Sequence, residues 1–309
     1  MSAPVTRSAC AKIILCGEHA VVYGRPAIAL PLSGLRSRAT VAPLDRPFRI
    51  CAPDIHAEFD LSTDPNRPLA VLTRLVFEYL QQPPARAKLT LTSDIPAASH
   101  LGSSASVAVA CARAVAAFAG CELAPSEASR MAFEAEKIYH GSPSGIDNTV
   151  IAFEQPVWYV RGQRTQSASY TPMAIPRAPI LVVADTGIAT PTRIPVGDVR
   201  AGRDADPQRY ESLFDQIAVL VTRAREALEA SDWPALGRLM DANHALLQQL
   251  DVSCRELDNL CDTARTAGAL GAKLSGGGRG GNLIALACDE QDASRIRTAL
   301  TKAGAARVI

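Results

Sequence analysis

Five of the six residues from Gly276 to Gly281 are glycine, Arg279 being the exception. Glycine this dense loses too much backbone freedom to sit inside a helix or a strand, so KLSGGGRGGN, residues 273–282, has to be a loop. Successive N–H groups in such a loop form an anion nest, and Arg279 can add a charge-assisted contact; the alternative is a plain flexible turn. A second candidate cradle is HLGSSASVAVA, residues 100–110. There Gly102, Ser103 and Ser104 stand at the entrance to an Ala- and Val-rich stretch with no internal proline or glycine, which reads as a buried helix over 103–119. A helix start offers free N–H groups and the positive end of the dipole, and glycine lets a phosphate approach the backbone. The two hydroxyls can add hydrogen bonds or ligate Mg2+, although alone this stretch is equally an ordinary capped helix.

Neither cradle is a common nucleotide motif. The chain has no G-x-x-x-x-G-K-[ST] and no G-x-G-x-x-G tied to a βαβ unit, and protein-kinase signatures are missing. Composition removes other classes. Lys and Arg number 32 against 31 Asp and Glu, so there is no global field to draw the chain onto nucleic acid or an anionic membrane. Aromatic residues at 5% leave little stacking surface for bases. The cysteines at 10, 16, 51, 111, 121, 254, 261 and 288 form no C-x-x-C pair, which fits reduced, mostly buried thiols. No signal peptide or membrane-spanning run is legible, so the expected location is cytoplasmic.

With 309 residues, about two domains are expected. Apolar runs at 11–16, 27–32, 39–43, 48–51 and 87–92 read as strands, and 68–81 as a helix ended by Pro83-Pro84. A helix follows over 127–139, capped by Ser126, then strands at 151–153 and 157–160. The polar stretch 165–179, carrying Pro172, Pro176 and Pro179, marks the domain boundary. Beyond it a strand at 180–184 and helices over 208–230, 233–250, 254–267 and 289–304, with a strand at 283–287, describe an α/β layer. The fold class is therefore α/β (α+β), with a β-rich N-terminal domain over 1–175 and a C-terminal domain over 176–309 that holds the glycine-rich loop 273–282.

Two further segments carry chemistry. In EKIYHGSPSGIDN, residues 136–148, Glu136 and His140 lie four apart on one helix face, and Asp147 follows a tight turn of Gly141, Pro143 and Gly145. Read in isolation, Glu136 is a solvated helix residue and Asp147 a cap; with two anion cradles present, phosphoryl transfer is the economical reading. In AKIILCGEHAVVYG, residues 11–24, Lys12 sits inside an apolar strand, with Glu18 and His19 in the turn that follows. A buried ammonium needs a partner, and Asp147 is the obvious one; a sheet-edge lysine that discourages pairing is the alternative.

Together these four segments resemble the GHMP kinases, whose motifs fall here in the expected order across nearly the whole chain. KIILCGEHAVVYGRPAIALPL and HGSPSGIDNTV look most like the mevalonate kinase branch. The resemblance implies a two-domain fold with the active site in the cleft between the domains. It implies ATP-dependent, Mg2+-assisted phosphorylation of the 5-hydroxyl of mevalonate, a step in isoprenoid synthesis. Carried over residue by residue, it makes Asp147 the catalytic base and Lys12 the cation that favours the developing alkoxide. Glu136 and Ser104 become the Mg2+ ligands. Gly102, Ser103 and Ser104 hold the triphosphate, with Gly276, Gly277 and Gly278 closing over the other side. Lys12, Glu18, His19, Ser144, Asp147 and Thr192 face the acceptor. No nucleic-acid or membrane partner is implied, and a homodimer is one assembly open to the chain.

The chain departs from the resembled pattern in several places. Cys10-Ala11 stand where Pro-Gly is common, and Ala97-Ala98-Ser99-His100-Leu101 replace a Gly-x-Gly-Leu run. Arg279 replaces a usual glycine, and Ala189-Thr190 replace a frequent Pro-Arg, which removes a cation near the acceptor. Two other readings stay open at this level. One is a kinase of the same superfamily acting on another hydroxy acid or sugar, the other a nucleotide-binding sensor of the same fold without turnover.

Overall fold

The computed structural model of the protein describes residues 3–96, 100–140, 143–162 and 168–309. Contacts divide the chain into two compact units: Met1–Lys12 with Pro31–Gln155, and Ile13–Leu30 with Pro156–Ile309. The division thus falls at Gln155 and Pro156 rather than near Pro176, and an N-terminal stretch belongs with the second unit. The reason is the length of two strands, β1 (Val5–Cys16) and β2 (Pro26–Pro43), each of which passes from one unit to the other along its own course. A proline-rich stretch marks a break only where few contacts cross it, and the strands carry contacts past this one.

In the first unit, β5 (Ala87–Ser93) runs antiparallel to the second half of β2, with Ser37 opposite Ser93 and Pro43 opposite Ala87. On its other side β5 pairs in parallel with β3 (Arg49–Ala52), which pairs with β4 (Ala57–Asp60). The helices are α1 (Pro68–Tyr79), α2 (Ser103–Phe118), α3 (Pro125–His140) and α4 (Ile146–Phe153). Helix α2 packs against α1, α3 and α4. Its fully buried Ala105, Ala108, Ala112 and Ala116 are small enough to let those helices approach closely.

Three sequence expectations change here. The strands expected over 27–32 and 39–43 are one continuous β2, because the polar stretch between them, Ser33 to Arg38, keeps the extended backbone. The run at 151–153, expected as a strand, is the end of α4. Left-handed Gly145 (φ 87°) turns the chain into that helix, and a short apolar run satisfies either periodicity. Helix α3 begins at Pro125, so Ser126 lies inside its first turn.

In the second unit, the start of β2 pairs with β6 (Val157–Val160), which pairs with β7 (Ser169–Pro172). A separate antiparallel sheet has the order β11-β8-β10-β9, from β8 (Ile180–Asp185), β9 (Gly271–Ser275), β10 (Asn282–Ala287) and β11 (Arg307–Val308). Helices α5 (Arg193–Ala205), α6 (Pro207–Ala230), α7 (Trp233–Gln249), α8 (Arg255–Thr266) and α9 (Glu290–Lys302) complete it. Helices α7 and α8 cover β9, and α9 packs on β8 and β10. Asp206, Asp232 and Asp289 each accept an N–H of the helix they open, the capping that fixes where α6, α7 and α9 begin. The loop expected over 273–282 is shorter, since β9 takes Lys273 to Ser275 and β10 begins at Asn282; β9 is hidden from periodicity because Lys273 and Ser275 alternate with apolar residues although all five positions are buried. Among the described residues no helix is long and apolar enough to cross a membrane.

Candidate active site

The first unit gathers one group of the expected residues. Lys12 lies near the end of the stretch of β1 that belongs to this unit, and its backbone N–H donates to the carbonyl of Leu101 at 3.0 Å, which seats the start of α2 beside the strand. The residue is 4% exposed, and its ammonium stands 3.0 Å from Oδ2 of Asp147, in the first turn of α4. Gly102 makes this possible. It sits at φ 75°, and a Cβ there would lie 2.8 Å from Cγ of Lys12 and 2.9 Å from Cδ1 of Ile151. A side chain at 102 would therefore displace the lysine stem, besides paying the left-handed penalty of an L-residue.

Past Gly102, the first N–H groups of α2 have no intrahelical acceptor by helix geometry, and they point out of its N-terminus with the positive dipole end. Ser103 and Ser104 occupy that turn and are half-buried. The Ser104 hydroxyl is hydrogen-bonded to the carboxyl of Glu136, which reaches in from α3. Glu136 is 4% exposed, and burial pushes its carboxyl up to about 7, with a further rise from Asp147 and opposing effects of Ser104 and Lys12. Ser144 accepts the N–H of Ile146 at 3.4 Å at the entrance to α4. Asn148 fixes α4 on α3 by donating to the carbonyl and the hydroxyl of Ser129 at 3.1 and 2.8 Å. The side chain of His140, Gly141 of the expected turn, and the Ala97-Ala98-Ser99 departure lie outside the described side chains and residues.

The second unit gathers the rest. His19 is 5% exposed and has a left-handed backbone (φ 59°), an uncommon conformation for a residue with a side chain. Its Nε2 donates to the carbonyl of Gly277 at 3.0 Å, and burial, with Arg279 and Lys273 nearby, lowers its ring to about 4, so the imidazole is neutral. Thr192, exposed and preceding α5, stands beside Gly277, where a Cβ would come 3.1 Å from its Cγ2. Gly276 and Gly278 flank that contact with left-handed backbones. Glu18 is 1% exposed and its Oε1 meets the ammonium of Lys273. Lys273, the buried partner of Glu18, is a residue that sequence reasoning missed. The signal that singles out Lys12, a lysine between apolar neighbours, is equally present in Ala272-Lys273-Leu274.

Two departures from the resembled pattern meet in this unit. Thr190 donates its hydroxyl to the carbonyl of Arg279 at 2.6 Å. The Arg279 guanidinium turns to Asp198 on α5 and to Asp251 after α7, donating to the Asp251 carbonyl at 3.0 Å. Cys10 and Ala11 are fully buried in β1, a position a strand fills without the Pro-Gly pair.

Comparison with known proteins points the same way. The model of the GHMP kinases N-terminal domain matches residues 67–155, and that of the GHMP kinases C-terminal matches residues 224–306. The mevalonate kinase of Thermococcus gammatolerans is 37% identical over 99% of this chain and 95% of that protein. The mevalonate kinase of Pyrococcus furiosus is 35% identical over the same shares. The crystal structure of L. major mevalonate kinase in complex with R-mevalonate superposes with a TM-score of 0.84 at 34% identity, covering 100% of this chain and 97% of that one.

Proposed function

Because the chain belongs to the GHMP kinase family, we propose that it transfers the γ-phosphate of ATP to the 5-hydroxyl of (R)-mevalonate, giving 5-phosphomevalonate for isoprenoid synthesis. The observation that carries the reading is the Lys12–Asp147 pair at 3.0 Å, set beside the α2 N-terminus with Ser104 and Glu136 joined next to it. Mevalonate as acceptor is supported by relatives of that name matched over nearly the full length.

In this mechanism Asp147 takes the proton of the acceptor hydroxyl as the oxygen attacks the phosphorus. The Lys12 ammonium stabilises the alkoxide charge that develops there, in a reaction where the protein mainly positions and neutralises. The N–H groups at the start of α2, around Gly102, Ser103 and Ser104, hold phosphate oxygens. We assign Gly276, Gly277 and Gly278 to the same task, and Glu18, His19, Ser144 and Thr192 to the acceptor. A hydroxyl and a carboxylate are the hard oxygen donors that Mg2+ prefers, and the burial that strains the charge on Glu136 is what a divalent cation relieves, so Ser104 and Glu136 fit it. Ser104 and Glu136 would hold the ion, and it would supply positive charge against the phosphate oxygens. All eight cysteines are free, and we place the enzyme in the cytoplasm.

The test is ADP release with Mg2+ and ATP against mevalonate, 5-phosphomevalonate, homoserine and galactose, with a control lacking acceptor. Turnover confined to mevalonate is expected. Turnover of another acceptor would keep the mechanism and move the substrate, and ATP binding without turnover on any acceptor would sink the kinase reading.

A further inference from the structure

Lys273 is fully buried, yet the chemistry assigned above gives it nothing to do. Its ammonium contacts Oε1 of Glu18, itself 1% exposed, and donates to the carbonyl of Leu274 at 2.6 Å. Stability does not account for such a pair. Removing two charges from water offsets most of their attraction, and apolar residues of similar volume commonly serve a core as well or better. What the pair does is geometric. It fastens the turn Gly17-Glu18-His19 to β9, the strand that runs directly into the glycine-rich loop.

Two more ties join the same segments. The hydroxyl of Ser275 donates to the carbonyl of Ile14 at 2.8 Å, and His19 donates to the carbonyl of Gly277 at 3.0 Å. From behind, the turn is pressed against the start of β2: a Cβ on Gly17 (φ 102°) would fall 2.6 Å from Cα of Ala27. The turn therefore lies close against the start of β2 on one side, and the ion pair with the two hydrogen bonds ties it and the end of β1 to β9 and the loop on the other.

We propose that Lys273 is a positioning residue that, through Glu18, holds the turn carrying His19 in register with the loop Gly276–Gly281, so that turn and loop behave as one rigid piece. The inference rests on the acceptor roles given to Glu18 and His19 under the proposed function. It assigns Lys273 no contact with substrate.

The experiment uses the full chain with Lys273→Met, Lys273→Arg, Glu18→Gln and the double variant Glu18→Gln/Lys273→Met. KM and kcat for mevalonate and for ATP are measured beside amide hydrogen exchange of residues 14–20 and 274–281. Expected for Lys273→Met is exchange about tenfold faster in both segments together and a mevalonate KM raised about tenfold, more than that for ATP. Lys273→Arg should restore most of this, and the double variant should be no worse than the worse single one. Unchanged exchange in both segments, a rise confined to β9, or strictly additive effects would overturn the proposal. If the unaltered chain fails to turn over mevalonate while exchange still rises in both segments, the coupling stands and the acceptor assignment falls. A Lys273→Met chain that does not fold leaves the test to Lys273→Arg and Glu18→Gln, where Glu18→Gln must then loosen both segments.

Discussion

The ammonium of Lys12 lies 3.0 Å from Oδ2 of Asp147, although 135 positions of sequence separate them. Lys12 is almost wholly buried while the Asp147 side chain is about a third exposed, so the carboxylate is the member of the pair open to an incoming hydroxyl. Asp147→Asn should keep the shape and lose the base. We expect kcat to fall by about a hundredfold or more, the usual range for a positioned proton acceptor, with nucleotide binding retained. Lys12→Met should lower kcat more than it weakens ATP binding. Parent-rate phosphorylation by Asp147→Asn would remove the base assignment.

Glu136→Gln keeps the hydrogen-bonding shape beside Ser104 but removes the charge. The expected result is about a tenfold rise in the Mg2+ concentration needed for half-maximal activity, with the maximal rate partly recovered at saturation. A Mg2+ dependence superimposable on the parent would exclude Glu136 as a ligand.

Gly102→Ala imposes a left-handed L-residue, about 1–2 kcal/mol, and pushes a methyl onto the Lys12 stem. Activity should drop further than this stability loss explains, because the displaced group is the cation itself. Denaturant unfolding and steady-state rates on one preparation separate the two effects.

His19 supplies a pH dependence. Its ring falls from an ordinary 6.5 to about 4 on folding, so between those values the unfolded chain binds a proton that the folded chain refuses. The stabilisation is complete above pH 6.5 and is lost as pH falls toward 4, at up to about 1.4 kcal/mol per pH unit for one proton. Urea unfolding at pH 7, 6 and 5 should show a steeper acid loss for the parent than for His19→Gln. Parallel slopes would show that His19 is not the group responsible.

Arg279 has a left-handed backbone (φ 54°) and exposed ionic partners, two effects of opposite sign. Glycine relieves about 1 kcal/mol of backbone strain, and surface ion pairs of this kind contribute about as much in total. Arg279→Gly should therefore leave stability within about 1 kcal/mol of the parent while freeing the loop from Asp198 and Asp251. A change in the ATP KM without a change in melting temperature would locate the residue's effect in the loop.

The motifs were legible because each depends on short-range chemistry. The glycine cluster reads as a loop, Gly102-Ser103-Ser104 opens a helix, and a lysine inside an apolar strand, Lys12, calls for a carboxylate partner. Those features follow from backbone conformational freedom and hydrogen-bonding capacity, which a few neighbouring residues decide. The strand read at 151–153 went the other way because three apolar residues fit both periods and Gly145 settles the matter only in three dimensions.

What the tertiary structure alone decided are the relationships between residues far apart. Glu18 and Lys273 are separated by 255 positions, and nothing in either local sequence announces the other. The passage of β1 and β2 from one unit to the other, the burial of β9, and the meeting of Thr190 with Arg279 are of the same kind. Such pairings are selected by which burial arrangement satisfies every charge and backbone group at once, a condition on the whole chain. Local sequence therefore determined which groups this protein brings to its chemistry, and packing decided which of them meet.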